Sequence, residues 1–122
     1  MDAHTQRRRD LNDQFRKGLN PNLGRTMITA GVQHHTARHG GQLDMYNLMR
    51  AVREFDAFDN DNDPWDENDF GSFSLHGEPL FWKVDYFSHL MDGGSEDPAD
   101  MTKTKRVLTI ALKPVYYSGR VS

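Results

Sequence analysis

The sequence predicts an α+β domain: a two-layer fold in which an antiparallel sheet of about four strands carries two helices packed on one face, in the order α-β-α-β-β-β. Three observations lead there. Two segments repeat apolar residues at helical spacing, four others are rich in β-branched and aromatic residues between Gly, Pro and Asn turns, and the last three strands follow one another closely enough to pair as antiparallel neighbours. A chain of 122 residues has room for one core that hides roughly two thirds of its unfolded surface, so 1–122 is read as a single domain.

The first helix is expected from Thr5, a plausible N-cap, to Leu19, with Leu11, Phe15 and Leu19 at four-residue intervals and Asn20-Pro21 as its stop. Arg25 to Gln33 follows as a strand through Met27, Ile28 and Val32. The polar stretch His34 to Gly41 reads as a loop. The clearest helix runs from Gln42 to Phe55, with Leu43, Tyr46, Leu48, Met49, Val52 and Phe55 on its apolar face. Phe70 to Leu75 and Leu80 to Phe87 form a hairpin about His76-Gly77-Glu78-Pro79, with Lys83 and Asp85 on the face opposite Trp82 and Val84. After a loop from Asp92 to Asp100, Arg106 to Tyr117 is the last strand.

Between the second helix and the hairpin lies the most unusual feature. Glu54, Asp56, Asp59, Asp61, Asp63, Asp66, Glu67 and Asp69 place eight acids in sixteen residues without a base. Each pair at ~8 Å in water costs on the order of 0.5 kcal/mol, so a metal, a basic surface or a partner is expected to offset the repulsion. The net charge of -3 conceals how strongly the chain is segregated. Residues 1–53 hold nine Lys/Arg against four Asp/Glu, residues 54–100 hold Lys83 against fourteen acids, and residues 101–122 hold five bases and no acid. The basic ends are expected to fold against the acidic middle and partly neutralise it; the sharper expectation is one strongly negative lobe.

Composition excludes several chemistries. With no cysteine there is no disulfide, thiolate zinc site, iron–sulfur cluster or cysteine nucleophile. The longest apolar-rich stretch, Val107 to Leu112, is far too short to span a bilayer, and no apolar segment follows Arg7, Arg8 and Arg9, so no membrane partner and a cytoplasmic location are expected.

Asp59, Asp61 and Asp63 match the opening of a helix-flanked calcium loop, but Pro64 stands where the turn glycine belongs and Phe70 where the closing glutamate belongs. Asp63, Glu67, Asp85 and Lys83 have the residue types of a metal-dependent phosphodiesterase, yet nothing forces the loop acids onto the face of Lys83 and Asp85. His35 and His39 would suit zinc on a helix, but Thr36-Ala37-Arg38-His39-Gly40-Gly41 is a poor helix, so His34, His35 and His39 are read as a solvated loop cluster. No catalytic residue, metal or cofactor is assigned.

The remaining reading is an anionic surface for a basic protein partner, formed by Asp59, Asp61, Asp63, Asp66, Glu67 and Asp69 with Trp65 as apolar anchor. Alternate acids on an extended segment give one charge per ~6.6 Å against one per ~1.7 Å in duplex DNA, so imitation of nucleic acid also requires Asp92, Glu96, Asp97 and Asp100 beside them. A third reading is structural: Asp63, Asp69 and Asp85 pair with Arg25, Arg106 and backbone amides to pin the loop, with Trp82, Asp85 and Arg106 as framework residues. Arg7, Arg8, Arg9, Arg16 and Lys17 accompany no nucleic-acid motif and are read as a solvated helix face, so direct nucleic-acid binding is not expected.

Five blocks carry a resemblance: Leu11 to Arg16, Asn62-Asp63-Pro64-Trp65-Asp66-Glu67-Asn68-Asp69-Phe70-Gly71, Trp82-Lys83-Val84-Asp85-Tyr86, Asp97-Pro98-Ala99-Asp100 and Arg106 to Leu112. Together, over roughly Leu11 to Tyr116, they resemble a family of small uncharacterised bacterial proteins, defined by a domain of unknown function, in alphaproteobacteria and their plasmids and mobile elements. Asp66 stands where that pattern has a glycine and Asn68 where it has a histidine. The resemblance implies context: small proteins of mobile elements often counter host restriction or CRISPR systems. The resulting expectation is a non-enzymatic interaction protein, an anti-CRISPR or anti-restriction inhibitor, facing a basic nucleic-acid-handling defence complex. A metal-dependent hydrolase and a structural accessory protein are the alternatives.

Overall fold

A computed structural model describes residues 1–113. Its elements are α1 (Ala3–Arg16), a 3-10 turn (Pro21–Leu23), β1 (Gly24–Ile28), α2 (Ala30–His39), α3 (Gln42–Arg53), β2 (Phe70–Leu75), β3 (Glu78–Phe87) and β4 (Lys105–Leu112). The mixed α+β class and the four strands agree with the sequence expectation. The sheet, however, has the order β1-β4-β3-β2, with β1 parallel to β4 and the other pairs antiparallel, and three helices accompany it rather than two.

Both corrections have one cause. The strand expected over Arg25–Gln33 stops at Ile28, because Thr29 caps a helix that buries Val32, His35 and Thr36. That spacing is helical, and the Gln33 side chain donates to the Ile28 carbonyl at the junction. A helix there sends the chain away from the sheet instead of into a hairpin, so β1 is free to pair in parallel with the distant β4. Gly24 permits the pairing, since a Cβ at that position would run into the Arg106 carbonyl.

The helix boundaries also move. Asp2 rather than Thr5 caps α1, its carboxylate accepting the Thr5 amide at 2.7 Å, and α1 ends before Leu19, which is exposed. In α3, Leu48 and Val52 are buried whereas Leu43 and Tyr46 face solvent. The β2–β3 turn is tighter than expected: His76 and Gly77 have φ of 51° and 75°, the two left-handed residues of a type I′ hairpin, and β3 begins at Glu78. The expected continuation of the last strand to Tyr117 lies outside the described residues.

One core cluster joins Leu11 and Phe15 of α1, Val32 of α2, and Leu48 and Val52 of α3 to Leu80, Trp82 and Val84 of β3 and Leu108 and Ile110 of β4. Trp82 is its centre. Phe55 and Phe58 meet the indole edge-on at centroid distances of 5.6 and 6.0 Å. Gly71, directly opposite Trp82, leaves space for this: a Cβ there would lie 2.7 Å from Phe55 Cζ. Among the described residues no helix is long and apolar enough to cross a membrane.

Candidate functional site

The acidic segment is the loop from α3 to β2, and it is held by its own side chains at the tip and by α1 at the base. Phe55 and Phe58 sink one end into the core beside Trp82. Asp59 Oδ1 accepts the amides of Asp61 and Asn62 at 2.9 and 3.0 Å, while Asn62 accepts the Asp59 amide and donates to the Ala57 carbonyl. Such Asx turns close a polar loop without a hydrophobic core. Asp63 Oδ1 accepts the amides of Glu67 and Asn68 at 2.8 and 3.1 Å.

The base of the loop meets a buried polar network. Asn12, fully buried, donates from Nδ2 to the Glu67 carbonyl at 2.9 Å and to the Tyr86 hydroxyl at 2.7 Å. Tyr86 donates in turn to Glu67 Oε2 at 2.8 Å, and Arg8 stands 3.4 Å from Glu67 Oε1. On the other side of Asn12, its Oδ1 accepts from Arg106 Nε at 2.7 Å; Arg106 also donates to the Pro98 carbonyl and lies over the Tyr86 ring. One residue further along α1, Asp13 accepts from Asn68 and from Arg16. Arg16 donates to the carbonyls of Val52, Arg53 and Phe55 where α3 ends, and its guanidinium covers the rings of Phe58 and Trp82.

Burial sets the protonation preferences. Desolvation raises Asp63 above the ordinary 3.8, opposed by the two amides it accepts. Burial raises Tyr86 far above 10, reinforced by the charges of Asp69 and Glu67, so its hydroxyl is a permanent donor to Glu67. Arg106 is lowered by burial and supported by Tyr86 and Glu67.

These contacts divide the expected partner-binding residues into two groups. Asp59, Asp61, Trp65 and Asp66 point outward, Trp65 with 72% of its surface exposed. Asp63 and Asp69 are buried at 4% and 3% exposure, and Glu67 is held between Arg8 and Tyr86. Asp66 has φ 57° and Asn68 φ 52°, so both occupy left-handed backbone that favours glycine.

Of the framework residues, Trp82 and Arg106 are fully buried, and Asp85 pairs with Lys83 at 3.4 Å. Of the pairings expected for the structural reading, Asp63 does accept backbone amides, whereas Arg106 goes to Asn12 and Pro98. The hydrolase set does not assemble. Glu67 reaches Tyr86, on the face of β3 that alternation sets opposite Lys83 and Asp85, and among the described residues no group of three His, Asp or Glu is arranged to hold a metal. α1 touches both acidic loops: His4 donates to Asp97 at 2.9 Å, and Arg8, Asn12 and Asp13 hold the 63–68 segment. The basic N-terminal helix therefore binds both acidic loops, and Asn12 and Arg106 link the Glu67 carbonyl to the Pro98 carbonyl.

The histidines are a correction. His35 and His39 sit on α2, not in a solvated loop; their rings lie 4.3 Å apart, and His39 stacks on His76 at 4.6 Å. Each ring nitrogen contact has an oxygen acceptor: His35 to the Leu75 carbonyl, His39 to the His35 carbonyl, and His76 to buried Asp44 at 2.7 Å. Because His39 and His76 are stacked within 11° of parallel, their in-plane lone pairs cannot converge on one ion. The cluster instead clasps the hairpin turn to α2 and α3. The i,i+4 spacing of His35 and His39 was visible in the sequence, but nothing linked it to His76 or Asp44.

The chain belongs to the DUF3768 family, described as proteins of unknown function, whose model matches residues 28–114. The match takes in the acidic loop, the histidine clasp and the three strands that follow, and leaves α1 outside. No curated protein and no solved structure matches the chain.

Proposed function

We propose that this DUF3768 protein is a non-enzymatic interaction protein that acts in the cytoplasm and presents Asp59, Asp61, Trp65 and Asp66 to a basic protein surface. One observation carries the reading: Trp65 is 72% exposed on a loop whose base is fixed by buried hydrogen bonds, with outward carboxylates on both sides of it in sequence. An exposed indole on a fixed loop loses little entropy on binding and fills a pocket well, and flanking carboxylates steer it to a cationic rim. Three outward acids are too few to imitate a nucleic-acid track. The inward acids serve shape: Asp63 folds the loop over two amides, Asp69 is buried, and Glu67 is held between Arg8 and Tyr86.

The resemblance to proteins of alphaproteobacterial plasmids and mobile elements supplies the context, in which the basic partner is a nucleic-acid-handling defence complex and the outcome is its inhibition. The test is affinity for the purified complex across a salt series. Trp65→Ala and the triple variant Asp59→Asn, Asp61→Asn, Asp66→Asn each weaken binding at least about tenfold, and only the triple variant flattens the salt dependence. Unchanged affinity in both variants removes the proposal.

A further inference from the structure

A second site lies away from the acidic loop, where α1 ends, the chain turns at Pro21 and the open edge of the sheet begins. There a cavity of about 350 Å³ is lined by Phe15, Pro21 and Met49 and by three arginines, Arg16, Arg25 and Arg53. No carboxylate-bearing residue lines it. Arg16 is committed to Asp13 and to the carbonyls that end α3. Arg25 and Arg53 are exposed, and among the described residues neither has an acid within ion-pair distance. Among the described residues the Arg53 guanidinium makes one long 3.4 Å contact, from Nε to the Met49 carbonyl.

The backbone adds a donor. The Thr29 amide donates to Ile110 of β4, so alternation directs the amide of Thr26, three residues earlier, to the open side of β1. Consistently, the Ile28 carbonyl on that side accepts from Gln33 instead of from β4. Gly18, with φ 77°, and Gly24 line the same cavity and contribute no side chain to fill it.

We infer that this cavity binds a phosphomonoester carrying a small apolar body. Two uncommitted guanidinium forks and one amide call for roughly two negative charges and three acceptor oxygens, which a phosphomonoester supplies at neutral pH and a single carboxylate does not. The volume is at the lower end of small-molecule pockets, and Phe15, Pro21 and Met49 give the ligand body an apolar wall.

The probes are inorganic phosphate and phenyl phosphate, titrated into the full chain at low salt and followed by backbone amide chemical shifts. Saturable shifts are expected in segments 15–26 and 49–53, with phenyl phosphate bound more tightly than phosphate. Arg25→Gln and Arg53→Gln each weaken phenyl phosphate about tenfold. Both residues are exposed, so the unchanged remainder of the spectrum shows that the variants are folded. Arg38→Gln, which removes an exposed arginine of α2 that does not line the cavity, leaves binding as it was. Shifts that fail to saturate at millimolar probe, an equal loss in Arg38→Gln, or wild-type affinity in the Arg25 and Arg53 variants overturns the site. Equal affinity for the two probes overturns the apolar part of the ligand class.

Discussion

Replacing Asn12 by alanine tests whether α1 holds the acidic loop through the buried network. The side chain is fully buried, gives two hydrogen bonds from Nδ2 and accepts one at 2.7 Å from Arg106. Tyr86 keeps its bond to Glu67 in the variant, so its loss is small. The Glu67 carbonyl loses the donation from Asn12, and Arg106 Nε is left without an acceptor on a guanidinium whose Nη1 already has none. A neutral group orphaned in the interior costs about 1–3 kcal/mol, and one on a charged side chain lies at the upper end or above. Roughly 4 kcal/mol is therefore expected, a large share of the ~5–15 kcal/mol that holds a typical domain. Urea unfolding followed by circular dichroism reads it: with a slope of about 2 kcal/mol per molar, the midpoint falls by about 2 M. Asn12→Asp restores an acceptor for Arg106 and lands between the wild type and the alanine variant. A loss below about 1 kcal/mol in Asn12→Ala refutes the reasoning, because it would mean that Arg106 finds another partner and that the network is not a unit.

Two further outcomes follow from the same contacts. Gly71→Ala drives a methyl group against Phe55 and Trp82, and overpacking of that kind lowers stability by about 1–3 kcal/mol, with loss of near-ultraviolet aromatic ellipticity; an unchanged melting temperature counts against the packing. Asp63 has its folded-state pKa raised by burial, so its protonation adds stability that is complete below the ordinary 3.8 and is lost as pH rises through the folded value. Asp63→Asn keeps an acceptor for the two amides and removes this dependence, so the melting temperature of the wild type relative to the variant increases as pH falls toward 3.8; a constant difference refutes it.

Local chemistry explains what could be seen in the sequence and what could not. α3, β2 and β3 were visible because apolar period and turn residues agree there, and Trp82 was placed among the framework residues by its position on an aromatic strand. α2 was hidden because Met27, Ile28 and Val32 are good strand residues, and only burial of Val32, His35 and Thr36 on one side decides for a helix. The parallel pairing of β1 with β4 joins residues about eighty positions apart, for which no short-range signal exists. In the loop, the density of acids was plain. Their division into outward and inward groups depended on the docking of α1, and Asn12, the polar centre of that contact, is an ordinary residue in an ordinary helix sequence.

That division answers the question which the acidic run raises first, namely what offsets its repulsion. Even if Asp59, Asp61 and Asp66 lie ~8 Å apart, three exposed pairs cost about 1.5 kcal/mol before screening, and less at physiological salt. The network through Asn12, set against this, is expected to supply roughly 4 kcal/mol. Glu67, the acid closest to it, has Arg8 and the Tyr86 hydroxyl, while Arg9 shares a small pocket with Asp59, Asp63 and Asp66. The fold's own basic helix and buried hydrogen bonds therefore offset the repulsion among the outward acids. A loop already fixed in this way meets a binding surface with its entropy cost largely settled, and this is the condition under which a single exposed tryptophan and three carboxylates make an effective contact.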